Sequence, residues 1–294
     1  MFTKIPNIDF IEKRGYALVF SLILTVASVL ILLSKGLNFS IDFKGGTIIE
    51  FITKEDSLEA TIKSVLGSDY GDFEVAKTKL NGGDAFSYTL KIGASASDSL
   101  DKISNIIKVA FPEAEIIKSD YIGPKVGAEF AWDSGKAIIF ALLAMMAYVW
   151  FRFDLKFAIG VMLALLHDVI ITLGFFSISG FQFDLTSIAV ILTVVGYSIN
   201  DSIVIYDRIR ENIKVGINQL KVKEFGALVN LSVNETLSRT IMTSLTTLVV
   251  CIALLIFGGE ALRGFSAGLS FGIAFGTYSS IYISAPVLMF FARK

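Results

Sequence analysis

Residues 192–212 read LTVVGYSINDSIVIYDRIREN and close an apolar run that opens near Leu185, which sets Asp201 several residues inside a segment of membrane-span character. An ionised carboxylate in hydrocarbon is expensive, and such a group marks a functional site when a proton, an ion or a partner makes use of it. The nearest balancing charge in sequence is Arg239, four residues after Glu235 in ETLSRTIMTSLTTLVV. Asp201 and Arg239 are therefore the candidate ion-coupling residues. Two plainer roles compete: a structural Asp201 that only pairs with a neighbouring helix, and an Arg239 that snorkels to the headgroups.

Composition sets the class. Of 294 residues, 54% are apolar against 18% charged, with a mean hydropathy of +0.68, which is too apolar for an ordinary soluble domain and indicates an integral membrane protein in a lipid bilayer. A net charge of −1 and the lack of a basic patch with interleaved aromatics exclude nucleic acid as a partner. The single cysteine, Cys251, excludes an intrachain disulfide framework, and the single histidine, His167, excludes a multi-histidine metal site. Gly45-Gly46 and Gly258-Gly259 lack the Gly-Lys-Ser/Thr element of a P-loop, and there is no serine elbow. The expectation is a non-enzymatic protein without cofactor or metal, energised by an ion gradient or by another subunit.

The chain lays out as six α-helical spans with an inserted external α+β domain. Residues 1–34 hold a short N-terminus and the first span, at 16–33, which reads as retained rather than as a cleaved signal. Residues 35–128 form the external domain, with strands at 47–53, 73–80, 85–92 and 114–121, helices at 57–66 and from about 97 to 109, and a hairpin turn at 81–84. The order βαββαβ predicts a ferredoxin-like sandwich. Residues 129–294 carry the remaining spans, at about 137–153 after an amphipathic lead-in, 157–176, 185–206, from 232 or 234 to 257 with a Ser232/Glu235 capping box, and 264–291. A loop at 207–234 separates the fourth and fifth spans. Basic residues number 3 before the first span, 2 in the 152–156 turn, 5 after the fourth span and 2 at the C-terminus, whereas the external loops carry only Arg263. By the positive-inside rule both termini are cytoplasmic and the domain is periplasmic or its equivalent.

Further polar residues lie within the spans. Ser198, Asn200 and Ser202 flank Asp201, and Thr243, Thr246 and Thr247 continue a stripe above Arg239; either set can hold water or an ion, or simply pack helices. Burial disfavours a charged carboxylate and a nearby guanidinium favours it, so moving helices can load and unload a proton there. Asp168, beside His167, follows Gly160 and Ala164 and precedes Thr172 on an inward ridge, as a helper in a hydration network or a structural pin. Gly264, Gly268, Gly272 and Gly276 recur at four-residue steps and predict close helix packing.

The order NFSIDFKGG at 38–46, IGPKVG at 122–127, FRFD at 151–154, LLHD at 165–168, VVGYSINDSIVIYDRIREN at 194–212 and SVNETLSRTIMTSLTT at 232–247 resembles the SecF family of bacterial protein-export membrane subunits. The resemblance spans nearly the whole chain. The family belongs with the proton-driven resistance-nodulation-division proteins, and the resemblance implies one span, a periplasmic domain and five further spans in the cell inner membrane. It also implies a pseudo-symmetric SecD partner that supplies a further membrane acid, docking near the SecYEG channel, YajC and YidC as further neighbours, and an exported unfolded polypeptide as the thing moved. Asp201 and Arg239 then serve ion translocation, with proton or sodium as the coupling ion, and Asp42, Phe43, Gly45, Gly46, Gly123 and Pro124 are structural junction residues. Half of a small-molecule exporter and a purely structural scaffold are the alternatives.

Overall fold

The computed structural model describes residues 8–56, 61, 62, 64, 73–79, 85–93, 100–215 and 222–291. Among them, six helices are long and apolar enough to cross a membrane. They lie in α1 (Arg14–Lys35), α4 (Pro124–Arg152), α5 (Leu155–Ser179), α6 (Leu185–Val215), α7 (Val222–Phe257) and α8 (Gly259–Ser279) with its continuation to Phe291. Between α1 and α4 stand a short turn α2 (Ile41–Lys44), the strands β1 (Gly46–Thr53), β2 (Phe73–Lys79) and β3 (Phe86–Gly93), helix α3 (Leu100–Ala110) and β4 (Glu115–Ile122).

The four strands make one antiparallel sheet in the order β2-β3-β1-β4. Alternation sorts its faces: Ile49 and Phe51 from β1 and Tyr88, Leu90 and Ile92 from β3 bury against Ile103 and Ile107 of α3, with Ile62 and Phe111 completing the core. The edge strand β4 is largely exposed. The helix expected at 57–66 lies mostly outside the described residues, and the turn expected at 81–84 lies wholly outside them.

Several boundaries differ from the sequence reading. The lead-in at 129–136 is not a separate element, because Pro124 starts a single 29-residue helix, a position where its fixed φ and missing N–H are no handicap. The long loop at 207–234 is mostly helix: α6 runs to Val215 and α7 begins at Val222. The Ser232/Glu235 capping box is accordingly wrong. Ser232 sits in mid-helix and donates to Leu228 O at 2.8 Å, while Glu235 accepts from Arg208 Nε at 2.7 Å and Asn212 Nδ2 at 2.9 Å. Polar residues that read as a helix start are instead the contact surface between two helices that outrun the apolar window. The last span is also irregular, since α8 passes into a π-helical turn at Ser280–Ser284.

The segment before α1 is fastened to α7 by two asparagines. Asn234 accepts from Ile8 N at 2.9 Å and donates to Ile8 O at 2.8 Å, and Asn230 accepts from Phe10 N at 2.8 Å. Phe10 meets Tyr282 of the π turn edge-on, with centroids 5.6 Å apart. The side-chain amides thus stand in for a strand partner. Replacing Asn234 by Ala removes the acceptor of Ile8 N and one of the two amide donors to Ile8 O and is expected to cost about 1 kcal/mol, seen as a lower unfolding temperature in detergent and faster proteolysis ahead of Arg14.

Candidate functional site

The helix that bears the site, α6, is fixed at its N-terminus from two sides. Asp184 caps it, its Oδ1 accepting from Ser187 N at 2.8 Å while its own N–H donates to Ser187 Oγ at 3.2 Å, a reciprocal capping arrangement. Asp42 of α2 accepts from Leu185 N at 3.2 Å. Phe43 is packed with Phe39 and Phe183, and a parallel bridge joins residues 39 and 183. Gly45 has φ 81°, and a Cβ there would stand 2.8 Å from Cα of Pro124, so only glycine permits the chain to turn against the start of α4. Gly46 follows as the first residue of β1, and Gly123 is the extended residue before Pro124. These six junction residues therefore meet where the sheet, α4 and the start of α6 come together.

Deeper in the bundle the glycine ridge of α8 faces α6 and, at Gly268, also Phe176 of α5. A Cβ on Gly268 would come within 2.6 Å of Phe176 Cζ, one on Gly272 within 3.1 Å of Val194 Cγ1, and one on Gly276 within 3.3 Å of Ser198 Cβ. Gly264 instead faces Phe181 at ordinary contact distance. The close approach sets up a buried polar node. Asp168 of α5 is 0% exposed, its Oδ2 accepts from Ser198 Oγ of α6 and Ser279 Oγ of α8, both at 2.7 Å, and its Oδ1 lies 2.9 Å from His167 Nδ1. Eight residues further along α6, at the level of Gly160, Tyr206 donates to Ser284 O at 3.0 Å and accepts from Ser284 Oγ at 2.7 Å. Three helices and the π turn are thereby pinned through one carboxylate and one phenol, in a medium where an unpaired polar group has no water to turn to.

Asp201 stands three residues beyond Ser198 and is treated differently. It is 2% exposed, yet its Oδ2 has no hydrogen-bond partner, and the hydroxyls of Ser202, next in the chain, and of Thr240, which follows Arg239 on α7, are likewise unpartnered. Arg239 is close enough for its charge to act on Asp201, but no hydrogen bond or ion pair joins them among the described residues. Its guanidinium belongs to an exposed flank, where it lines a cleft with Asn200, Thr236 and Glu235.

Sequence reasoning therefore grouped these residues only in part. His167, Asp168 and Ser198 meet in one node, whereas Asn200 points to the cleft and not to that node. Thr243 and Thr247 do not form a free polar stripe: Thr243 donates to Arg239 O at 3.0 Å and Thr247 to Thr243 O at 2.9 Å, within their own helix. Ser279, Ser284 and Tyr206 were missed. The signal for the two serines was present in YSSIYIS of the last span, overshadowed by the glycine repeat before them, and Tyr206 stood in the stretch IVIYDR after Asp201.

Comparison with known proteins now bears on this arrangement. The family described as "Protein export membrane protein SecD/SecF, C-terminal" matches residues 102–294, and the "SecD/SecF GG Motif" matches residues 30–51, which include Asp42, Phe43, Gly45 and Gly46. The chain belongs to the SecD/SecF family. Among its relatives, the "Protein translocase subunit SecF" of Rickettsia felis is 42% identical, over 99% of this chain and 94% of that one, and its namesake in Rickettsia bellii is 43% identical, over 99% and 96%. The crystal structure of SecDF, a translocon-associated membrane protein from Thermus thermophilus, superimposes with a TM-score of 0.83 at 33% identity, over 99% of this chain. A SecDF structure in a super-membrane-facing form gives 0.74 at 34%. The chain spans 39% of the length of each of those two SecDF chains.

The packing reading has a direct test. Replacing Gly272 by Val drives methyl groups into Val194 and is expected to destabilise the protein by roughly 1–3 kcal/mol, read as a lower unfolding midpoint in detergent. Replacing Ser279 by Ala, which removes one of the two hydroxyls on Asp168, is expected to cost a similar amount, about 1–3 kcal/mol.

Proposed function

We propose that this chain is the SecF-type accessory subunit of a bacterial protein translocase and that, with a SecD-type partner, it uses an ion gradient to promote late steps of polypeptide export. The observation that carries this reading is Asp201: an acid inside a membrane-spanning helix, nearly fully buried, with one carboxylate oxygen unpartnered and an arginine nearby that does not close on it. A purely structural acid would be saturated, as Asp168 is. An unsaturated one is available to a proton or a sodium ion.

The remaining parts of the proposal follow from this. Asn200 and Arg239 are exposed at span depth, which supports a membrane partner of the SecD type on that flank, contributing its own acid. Docking at the SecYEG channel, with YajC and YidC as neighbours, belongs to the same reading, as does placement in the inner membrane with the sheet on the periplasmic side. The strand order β2-β3-β1-β4 and the packing of α3 on one face support a ferredoxin-like βαββαβ domain over residues 35–128, between a first unit at 1–34 and the membrane unit at 129–294. Helix α4 begins at Pro124, so the last junction is a continuous helix through which motion can pass. The chain acts as a coupling subunit and not as an enzyme. Protonation at Asp201 shifts α6 and α7, and the Asp42 contact to Leu185 and the Gly45 contact to Pro124 carry that shift to the sheet, which then holds or releases emerging polypeptide.

Membrane vesicles holding the full complex, with a proton or sodium gradient imposed, test the proposal. Asp201→Asn is expected to abolish the gradient-stimulated part of export, and unchanged stimulation would sink it. Arg239→Met is expected to impair the same step; full activity would mean that Arg239 only snorkels.

A further inference from the structure

Between the sheet and the bundle lies a cavity of about 170 Å³ that the coupling reading of Asp201 does not use. Its walls come from the sheet, the α5–α6 connection, the first turn of α6 and the start of α8. The pleat decides which residues of β3 reach it. Tyr88, Leu90 and Ile92 turn inward to the domain core, so Thr89 and Lys91 turn to the opposite face, over the helices. The partner of Lys91 there is the neutral amide oxygen of Gln182, at 2.8 Å, so its charge is not cancelled by that contact. Arg263, the single basic residue that the sequence reading placed in the external loops, belongs to α8 and lines the same space. The carboxylate on the wall, among the described residues, is that of Asp184, whose Oδ1 accepts from Thr186 Oγ1 at 2.7 Å and from Ser187 N and Oγ, both at 2.8 Å. Glu50 shares the sheet face but lies outside the wall, where it accepts from Ser87 Oγ at 3.2 Å. Two cations thus face one carboxylate that is already turned to its own helix.

The apolar side of the wall continues along the helices as a column of rings. Phe181, beside Gly264, meets Phe175 of α5 with centroids 6.3 Å apart, Phe175 stacks on Phe271 of α8 at 4.6 Å, and Phe271 meets Phe275 at 4.5 Å. All four rings are half-buried, so the column keeps an open side. From Gly264 to Phe275 the helix rises about 16 Å, close to half of the roughly 30 Å hydrocarbon core, which is one leaflet. We propose that the cavity and the column bind one anionic phospholipid of the outer leaflet. Lys91 and Arg263 take its headgroup phosphate, the Thr89 hydroxyl is a further donor, and one acyl chain lies along the rings. Arginine presents a fork to phosphate oxygens and lysine a point charge. A free phosphate would answer the cations and leave the column bare, whereas a lipid without net charge would cover the column and leave the excess cation unanswered. Lys91 belongs to the sheet and Arg263 to the bundle, so the bound headgroup ties the two together. The leaflet follows from the periplasmic placement of the sheet proposed above; the binding does not depend on ion coupling at Asp201.

The test uses the full complex in a neutral detergent, with phosphatidylglycerol, phosphatidylcholine or inorganic phosphate added and retained lipid counted by native mass spectrometry. Phosphatidylglycerol is expected to be retained in preference to phosphatidylcholine. Lys91→Gln and Arg263→Gln are each expected to weaken that retention by about tenfold or more, as the loss of a charge-assisted hydrogen bond implies, and Lys91→Arg to preserve it. Phe271→Leu, which removes a ring but keeps an apolar residue, is expected to weaken it as well. Lys35→Gln, which removes a different cation at the outer end of α1, is expected to change nothing. Equal retention of the two lipids, or undiminished phosphatidylglycerol in the Lys91→Gln, Arg263→Gln double variant, overturns the proposal. An equal loss in Lys35→Gln also overturns it, as the mark of general surface charge. Displacement of the lipid by inorganic phosphate at the same concentration overturns it too, because the cavity would then be a site for a free anion. Unfolding midpoints in the same detergent show whether each variant is folded. An Asp201→Asn complex is expected to retain the lipid unchanged, so a failure here is distinguishable from a failure of the gradient test.

Discussion

Helix α8 lies against α6 only because glycines remove the side chains between them. In a bilayer there is no apolar driving force between helices, since lipid tails are as apolar as leucine, so association depends on close van der Waals contact and on hydrogen bonds that water cannot compete for. Gly272 and Gly276 supply the first by seating Val194 and Ser198 of α6 where a Cβ would otherwise be, and Gly268 does the same for Phe176 of α5. The second follows one turn further on, where Ser279 and Ser198 reach the same oxygen of Asp168 from opposite helices. That contact fixes the rotation of α6 about its axis. The placement of Asp201, three residues beyond Ser198, is a consequence of it.

Two membrane acids thus sit close in sequence register and in opposite physical states. Asp168 is completely enclosed and holds hydroxyl donors on one oxygen and a histidine nitrogen on the other, so it pins α5, α6 and the end of α8 together. Asp201 is enclosed without being saturated, and its arginine neighbour is turned toward a cleft. The π turn at Ser280–Ser284 widens the backbone next to the pinned acid, a feature that recurs at functional sites in helices. The saturated node gives the bundle a fixed frame, against which a change at the unsaturated one can be registered.

The same frame reaches the sheet through contacts of short range. Asp42 touches the first residue of α6 and Gly45 the first residue of α4, while Lys91 of β3 donates to Gln182 in the α5–α6 connection at 2.8 Å. The first two involve backbone on at least one side and leave little freedom to absorb a displacement, whereas Lys91 and Gln182 meet through their side chains. The sheet is therefore tied to the helix that carries Asp201, and a family signature that reads as a mere pair of glycines is a joint.

How far the sequence reaches depends on the range of the interaction in question. Composition and apolar run lengths determined six spans, because hydrocarbon thickness dictates the length of any helix that crosses it. Alternation located all four strands to within a residue or two, because a sheet with one buried face imposes a period of two. The cost of charge in lipid singled out Asp201, Arg239 and Asp168. Only tertiary structure decided what each of these does, since burial and pairing come from helices distant in the chain. It brought Ser279 to Asp168 across 111 residues and left Asp201 unsaturated. It also carried Glu235 from a supposed helix cap to the side of Arg208, because α6 and α7 continue as helices beyond the apolar window that marked their ends.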